Sequence, residues 1–259
     1  MQPQTVMDHF QAMGHWVDWG STLDHFLHGD PHVALRGIAV AWIPTDRLLE
    51  QAHKKGLNFF VSHEEVFYDD FLNTAFGAAR TERRKRWLDD AGMVVMRCHD
   101  TWDKMPGIGV VDSWVKALGF CADARPVGSY YCVCHANGET VDAIGSQVLR
   151  LVKSMGQSVV NRFGDGSRPV RRIVVGTGAI TNAAEMAALD PDLLIMTDDG
   201  FNSCNGGLLA YDLDIPMLVV NHYMAERAGI QELAMYLGRQ FPQIRVEFFD
   251  VGYTYEPIL

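Results

Sequence analysis

Three short stretches of this 259-residue chain carry side chains that could bind a metal ion, and each follows an apolar run. His63-Glu64-Glu65 follows LNFFVS, and His99-Asp100-Thr101-Trp102-Asp103 follows MVVMRC. Asn221-His222 follows PMLVV, with Glu226 four residues beyond the histidine. Imidazole nitrogens and carboxylate oxygens are the ligand set of hydrolytic dinuclear sites. Donors at three strand ends can meet, because loops converge beyond the carboxyl ends of the strands in an open α/β sheet. Each stretch also has an ordinary reading. A strand-end histidine is commonly a hydrogen-bonded surface or core group, and His222 and Glu226 have the spacing of a plain i, i+4 helix pair. Asp103 can cap a helix or hold a turn. Recurrence on three strands is what favours metal; His9, His15, His25, His28, His32, His53 and His135 have no such company and read as structural or exposed.

The elements that must position these groups alternate short apolar runs with amphipathic stretches, the pattern of α/β architecture. In the first half, strands are expected at Gly37 to Trp42, Leu57 to Ser62 and Met93 to Cys98, with helices from Thr45 to Lys55, Glu82 to Ala91 and Asp112 to Leu118. Thr45 is placed to cap its helix, and Gly56, Gly92 and Gly119 to stop theirs. In the second half, strands are expected at Tyr130 to Cys134, Arg172 to Val175, Asp192 to Met196, Pro216 to Val220 and Arg245 to Phe249. Helices are expected at Val141 to Gly156, Asn182 to Leu189 and Ala225 to Arg239, with Phe201 to Tyr211 irregular or helical. Cysteine, proline and glycine punctuate Ala122 to Gly128, which suggests a boundary between two lobes.

A formal charge of −10, from 32 acidic against 22 basic residues, argues against a broad nucleic-acid or anionic-membrane surface, since phosphate binding needs a basic patch. The one locally basic stretch, Arg80 to Arg86, spreads around a helix axis and reads as a solvated face. The five cysteines include no CxxC pair and read as buried or idle thiols of a reducing compartment. No secretory signal or membrane-length apolar run is visible, so a cytoplasmic protein is expected.

IVVGTGAITNAAEMAAL reads as strand, glycine turn and helix, with Asp198 and Asp199 about twenty residues later, which resembles half of a dinucleotide-binding fingerprint. Thr181 stands near the place of the third glycine, and a tight strand-to-helix turn explains the same residues. An oxidoreductase using Gly176 and Gly178 would have to bind a nicotinamide cofactor.

Read in order, these stretches resemble the Nif-three-like family (NGG-one-interacting factor three), some members of which are described as a type-two GTP cyclohydrolase one. The resemblance runs from about Leu23 to Phe249. VVNHYMAERAGIQELAMYL looks like the family's glycine-His-x-x-x-Glu strand–helix element, and IVVGTGAITNAAEMAALDPDLLIMTDDG is similar to its glycine turn followed by Thr-Gly-Glu. RCHDTWDKMPGIGVVDSWVKALGF resembles the His-x-x-x-Asp segment, and GLNFFVSHEEVFY the strand ending in paired histidines.

The resemblance implies one α/β unit of two lobes, about 1–124 and 125–259, with mixed sheets flanked by helices and a metal cleft between the lobes. It implies a homo-oligomer, often a hexameric ring, while the charge balance above leaves no nucleic-acid or membrane partner expected. Carried over residue by residue, the metal ligands are His63, Glu64, Asp103, His222 and Glu226, with His99 a further ligand or a supporting group. Glu64 stands where the family has its second histidine, and Thr197-Asp198-Asp199 where it has Thr-Gly-Glu. Those extra carboxylates favour manganese or iron over zinc for the two divalent ions. Two ions about 4 Å apart acidify a bridging water, and Glu65, Asp100 and Asp199 are candidates to take its proton. The implied reaction is hydrolysis of a C–N bond in a small cyclic or heterocyclic amide-type substrate. Trp102, Phe67 and Phe201 could stack on such a substrate or pack the core. The alternative is a non-catalytic metal-binding or regulatory protein of the same family.

Overall fold

The structure, a computed structural model, describes residues 1–67 and 72–252. Along the chain come α1 (Pro3–Met13), β1 (Phe26–His28), β2 (Ile38–Ala41), α2 (Asp46–Lys54), β3 (Phe59–Ser62), α3 (Ala75–Ala91) and β4 (Val94–Arg97). A single helical turn, α4 (Asp100–Asp103), leads to α5 (Val110–Leu118), β5 (Cys121–Ala122), β6 (Tyr131–His135), α6 (Val141–Ser154) and β7 (Asn161–Phe163). Then follow β8 (Arg172–Gly176), α7 (Ala183–Ala187), β9 (Leu193–Thr197), a π-helical turn (Ser203–Gly207), α8 (Leu208–Asp212), β10 (Met217–Val220), α9 (His222–Gln240) and β11 (Val246–Phe248).

The chain forms two units: Met1–Trp102 with Ile230–Val251, and Asp103–Gly229 with Gly252. The divisions fall inside α4 and α9, and residues 122–128, where the punctuation suggested a lobe boundary, join β5 to β6 within the second unit. The first unit is built on a five-stranded sheet of order β1-β4-β3-β2-β11, parallel except for β1. Its central strands FFVS and IAVA are buried at every position, as strands covered on both faces must be. Leu48, Leu49 and Ala52 of α2, Leu88 of α3 and Phe249 pack against Phe60 and Val95 to form one core.

The second unit has a six-stranded mixed sheet of order β5-β6-β8-β9-β10-β7, in which β8, β9 and β10 run parallel. Met186 of α7 and Ala210 of α8 pack onto Val174, Leu194, Met196 and Met217 of that sheet.

Threonine N-caps start α2, α3 and α6, where Thr45, Thr74 and Thr140 each accept from the backbone N–H three residues on. Helix α3 begins seven residues before the expected Glu82, since its first turns carry no clean apolar period. The basic stretch on it is not wholly solvated. Arg84 is buried and bonds Asp46 Oδ1 through Nε at 2.9 Å, and Arg80 reaches Asp46 Oδ2 at 3.1 Å. Strands β1, β5 and β7, of two or three residues each, and α1 gave too little apolar periodicity to be read from sequence. No helix among the described residues is long and apolar enough to cross a membrane.

Candidate metal centre

In the first unit, strand register brings two of the stretches together. β3 and β4 are parallel neighbours with Ser62 opposite Arg97, so the residues that leave them, His63 and His99, emerge side by side. Their rings stack at 4.5 Å between centroids, 9° from parallel. His63 is fully buried, and its Nδ1 lies 3.1 Å from the carbonyl oxygen of Cys98. A carbonyl only accepts, so Nδ1 carries the proton and Nε2 the lone pair. His99 has the same arrangement, with Nδ1 3.1 Å from Asp100 Oδ1. Burial opposes the Asp100 charge, but hydrogen bonds from His99, Thr22 and the Leu23 N–H outweigh it, holding the carboxyl below the usual range.

Asp103 closes α4, which begins directly after His99, so the local helix places it. His63 and His99 offer ligand atoms within 4.8 Å of each other. The turn is fastened by a residue that sequence reasoning missed. Buried Asp24 accepts the backbone N–H groups of His99, Asp100 and Thr101, at 2.5, 3.0 and 2.8 Å. A second missed residue is Arg97, the last of β4. Its Nε donates to the His63 carbonyl at 3.1 Å, Nη1 to Glu65 at 3.4 Å and Nη2 to Glu64 at 3.3 Å.

The second unit repeats the logic. β9 and β10 are parallel with Thr197 opposite Val220, so Asp198-Asp199 and Asn221-His222 leave the sheet together. Asp198 Oδ1 accepts the His222 N–H at 2.8 Å and starts α9, while its Oδ2 accepts from Asn221 Nδ2 at 3.0 Å. That cap begins α9 at His222 rather than Ala225, so His222 and Glu226 share one helix face. His222 Nδ1 lies 2.8 Å from Asp199 Oδ2, and Nε2 lies 3.0 Å from Glu226 Oε1. The hydrogen bond from His222 outweighs burial and, with the His222 charge, holds Asp199 below the usual carboxylate range against the opposing charge of Glu226.

The glycine turn belongs to this set. Gly178 adopts φ +76°, and a Cβ there would stand 2.9 Å from Glu226 Oε1 and 3.3 Å from His222 Nε2. Its carbonyl accepts from the hydroxyls of Thr181 and Thr197 at 2.9 and 3.0 Å. Gly200, in turn, leaves room for Thr181 Oγ1. These contacts fit the reading of this motif as a turn packed against its neighbours.

The donors fit a divalent cation. Three imidazoles each present Nδ1 to an oxygen, which fixes the ring and directs Nε2, as the supporting partners of metal-binding histidines do. His222 Nε2 and Glu226 Oε1 stand 3.0 Å apart, close enough to serve one cation together. These buried His, Asp and Glu groups could hold a metal ion.

A sequence model of the Duf34/NIF3 (NGG1p interacting factor 3) family matches residues 14–254. The chain belongs to this family. No curated protein matches it in sequence. Among solved structures, this Duf34/NIF3 chain is similar to protein ybgI, of unknown function, at a TM-score of 0.79 and 16% identity over 98% of this chain and 99% of that one. A Bacillus cereus protein related to NIF3 aligns at 0.76 and 11% identity, over 100% and 99% of the two chains. Reduced HcgD from Methanocaldococcus jannaschii aligns at 0.73 and 14% identity, over 98% of each. Identities this low show the fold alone.

Two of the three aromatic side chains expected near the ligands are core residues: Trp102 is fully buried against Tyr236, and Phe67 packs among Phe60 and Leu88. Phe201 is half-buried and lies on Phe163, 4.5 Å between ring centroids.

Proposed function

We propose that this Duf34/NIF3 protein is a metal-dependent hydrolase, with two divalent cations held by His63, Glu64, His99, Asp103, His222 and Glu226. The observation that carries it is the shared orientation of three imidazoles, each with Nδ1 on an oxygen acceptor. When bound, the cations would supply Lewis acidity and a water acidified towards neutral pH.

The chain's own groups divide the remaining work. Asp24 and Asp198 fix the turns that carry the donors, and Asp100 and Asp199 set the histidine tautomers. Of the three candidate proton acceptors, Glu65 is held between Arg97 and the Val66 N–H. Asp100 is held among His99, Thr22 and the Leu23 N–H. Asp199 keeps a side chain that is 58% exposed, and we assign the exchange of protons with solvent to it. The C–N bond of a small cyclic amide-type substrate stays the preferred target on family resemblance, without support from Trp102 or Phe67, which are packing residues. Manganese or iron is preferred over zinc on the carboxylate content of the donor set.

The test is metal content by elemental mass spectrometry, on protein purified without chelator or affinity tag, beside His63→Ala and His222→Ala. About two ions per chain, lost in both variants, is expected. Folded protein that stays empty after incubation with manganese, iron and zinc would remove the proposal. The complete burial of His63 favours a second reading, a closed binding centre without turnover. Azide added to the cobalt-loaded protein separates the two, since only a vacant position lets the visible spectrum change.

A further inference from the structure

We infer that Arg97 is the positioning residue of the first donor set, and that it fixes the Glu64 carboxylate. The inference rests on the metal-binding reading above. Arg97 ends a strand whose other residues, Val94, Val95 and Met96, are buried and apolar, and its own side chain is only 11% exposed. A guanidinium in such a place needs acceptors, and its planar fork can serve several at once. Arg97 serves three, all in the segment that follows β3: the His63 carbonyl, Glu65 and Glu64. One side chain thus fixes the backbone of one proposed ligand and the carboxylate of the next.

The pairing with Glu64 is through Oε2. Ligand carboxylates are commonly fixed in this way by a hydrogen bond from outside the metal's own shell. Glu64 and His63 already offer ligand atoms within 4.8 Å of each other. Ser62 adds to the same fastening, its hydroxyl donating to the Glu64 carbonyl at 2.5 Å. Glu65 shares the guanidinium and also accepts the Val66 N–H at 2.8 Å, which keeps the segment from swinging about Glu64.

Charge and position pull in opposite directions here, which makes the inference testable. Removing a positive charge near a cation site strengthens cation binding. Removing a positioning partner weakens it, by about 10- to 100-fold for groups of this kind. The experiment is a chelator competition with Co²⁺ on full-length protein, together with the visible spectrum of the bound ion. Wild type is compared with Arg97→Gln, Arg97→Lys, Glu64→Gln and the double Arg97→Gln/Glu64→Gln variant, each checked for folding by thermal melt.

Arg97→Gln is expected to bind Co²⁺ about 10- to 100-fold more weakly and to shift the spectrum. Arg97→Lys, which keeps the charge but cannot span three acceptors, should fall with it, and it serves in place of the glutamine variant should that one not fold. The combined loss in the double variant should be smaller than the two single losses multiplied together, because both act through one carboxylate. Unchanged or tighter binding in Arg97→Gln, full affinity in Arg97→Lys, or independent losses would each overturn the inference and leave the metal reading standing. Wild-type protein that binds no Co²⁺ would remove both.

Discussion

Replacing Gly178 with alanine separates what the glycine turn does for the fold from what it does for the donors. The backbone there has φ +76°, and an L-residue in that region costs about 1–2 kcal/mol. For a protein of this size that lowers Tm by about 2–8 °C. The new Cβ also stands 2.9 Å from Glu226 Oε1 and 3.3 Å from His222 Nε2, inside normal contact. The carboxylate is the far end of a flexible side chain, so it yields cheaply and adds little to the folding cost. What moves is the donor. Gly138→Ala is the matched control: its φ is +92° and an added Cβ meets nothing within 4 Å, so it carries the backbone cost alone. Both variants should therefore melt at similar temperatures in chelator and differ once metal is added. At a metal concentration 100 times the wild-type Kd, binding stabilises by about 2.7 kcal/mol. A site weakened about 100-fold gains only about 0.4 kcal/mol at the same concentration. Paired melts with and without Mn²⁺ read this directly. If Gly178→Ala keeps the full metal-induced rise seen in Gly138→Ala, the turn does not bear on the donors and the packing argument is wrong.

Three further outcomes are expected. At pH 8, a thiol reagent should modify exposed Cys121 and Cys204 and spare the other three cysteines, because burial pushes the Cys132 and Cys134 thiols up to about 12 and Cys98 is buried; modification of all five in native protein would contradict this. Asp24→Ala should destabilise by about 3 kcal/mol or more in urea unfolding, since three N–H groups lose their acceptor, whereas Asp24→Asn keeps one acceptor oxygen and should cost less. Glu247 is held below its usual value of 4.5, first by the hydrogen bond from Lys55 and also by Arg245, so its contribution is present above that pH and lost as pH falls through the folded-state value. Glu247→Gln should therefore cost at most about 1 kcal/mol at pH 7 and nothing at pH 2, where an unchanged difference would refute the assignment.

Fold class and the donor-bearing strand ends were legible because both depend on local signals. Buried strands such as IAVA and FFVS read as continuous apolar runs, and donors just past them stand out by contrast. The start of α9 was not legible, because it depends on Asp198, which lies 24 residues earlier and caps the helix only after β9 and β10 have paired. The glycine turn was legible as a turn, but its neighbours were not. Nothing in IVVGTGAIT tells that the missing side chain of Gly178 faces Glu226, 48 positions away in the chain.

Asp24 and Arg97 show two different reasons for a miss. Asp24 lies in a loop with no periodicity, and its partners follow 75 to 77 residues later. A short acidic side chain in a loop has too many ordinary uses to be singled out without the fold. Arg97 did carry a signal. It follows three apolar residues in a strand that the sequence marks as buried, and a charge in that place needs partners. The acidic pair Glu64-Glu65 ends the neighbouring expected strand, and parallel pairing of the two puts the arginine beside it. A strand-end donor therefore cannot be judged by its own residue type alone. Glu64, read singly, is one more negative ligand that hardens the centre. Read with Arg97 it is a carboxylate whose charge is answered in part, by a guanidinium it shares with Glu65, so the preference for manganese or iron drawn from counting acids rests on fewer net charges than the count gives. Selectivity would then follow the geometry that the clamp enforces as much as ligand hardness.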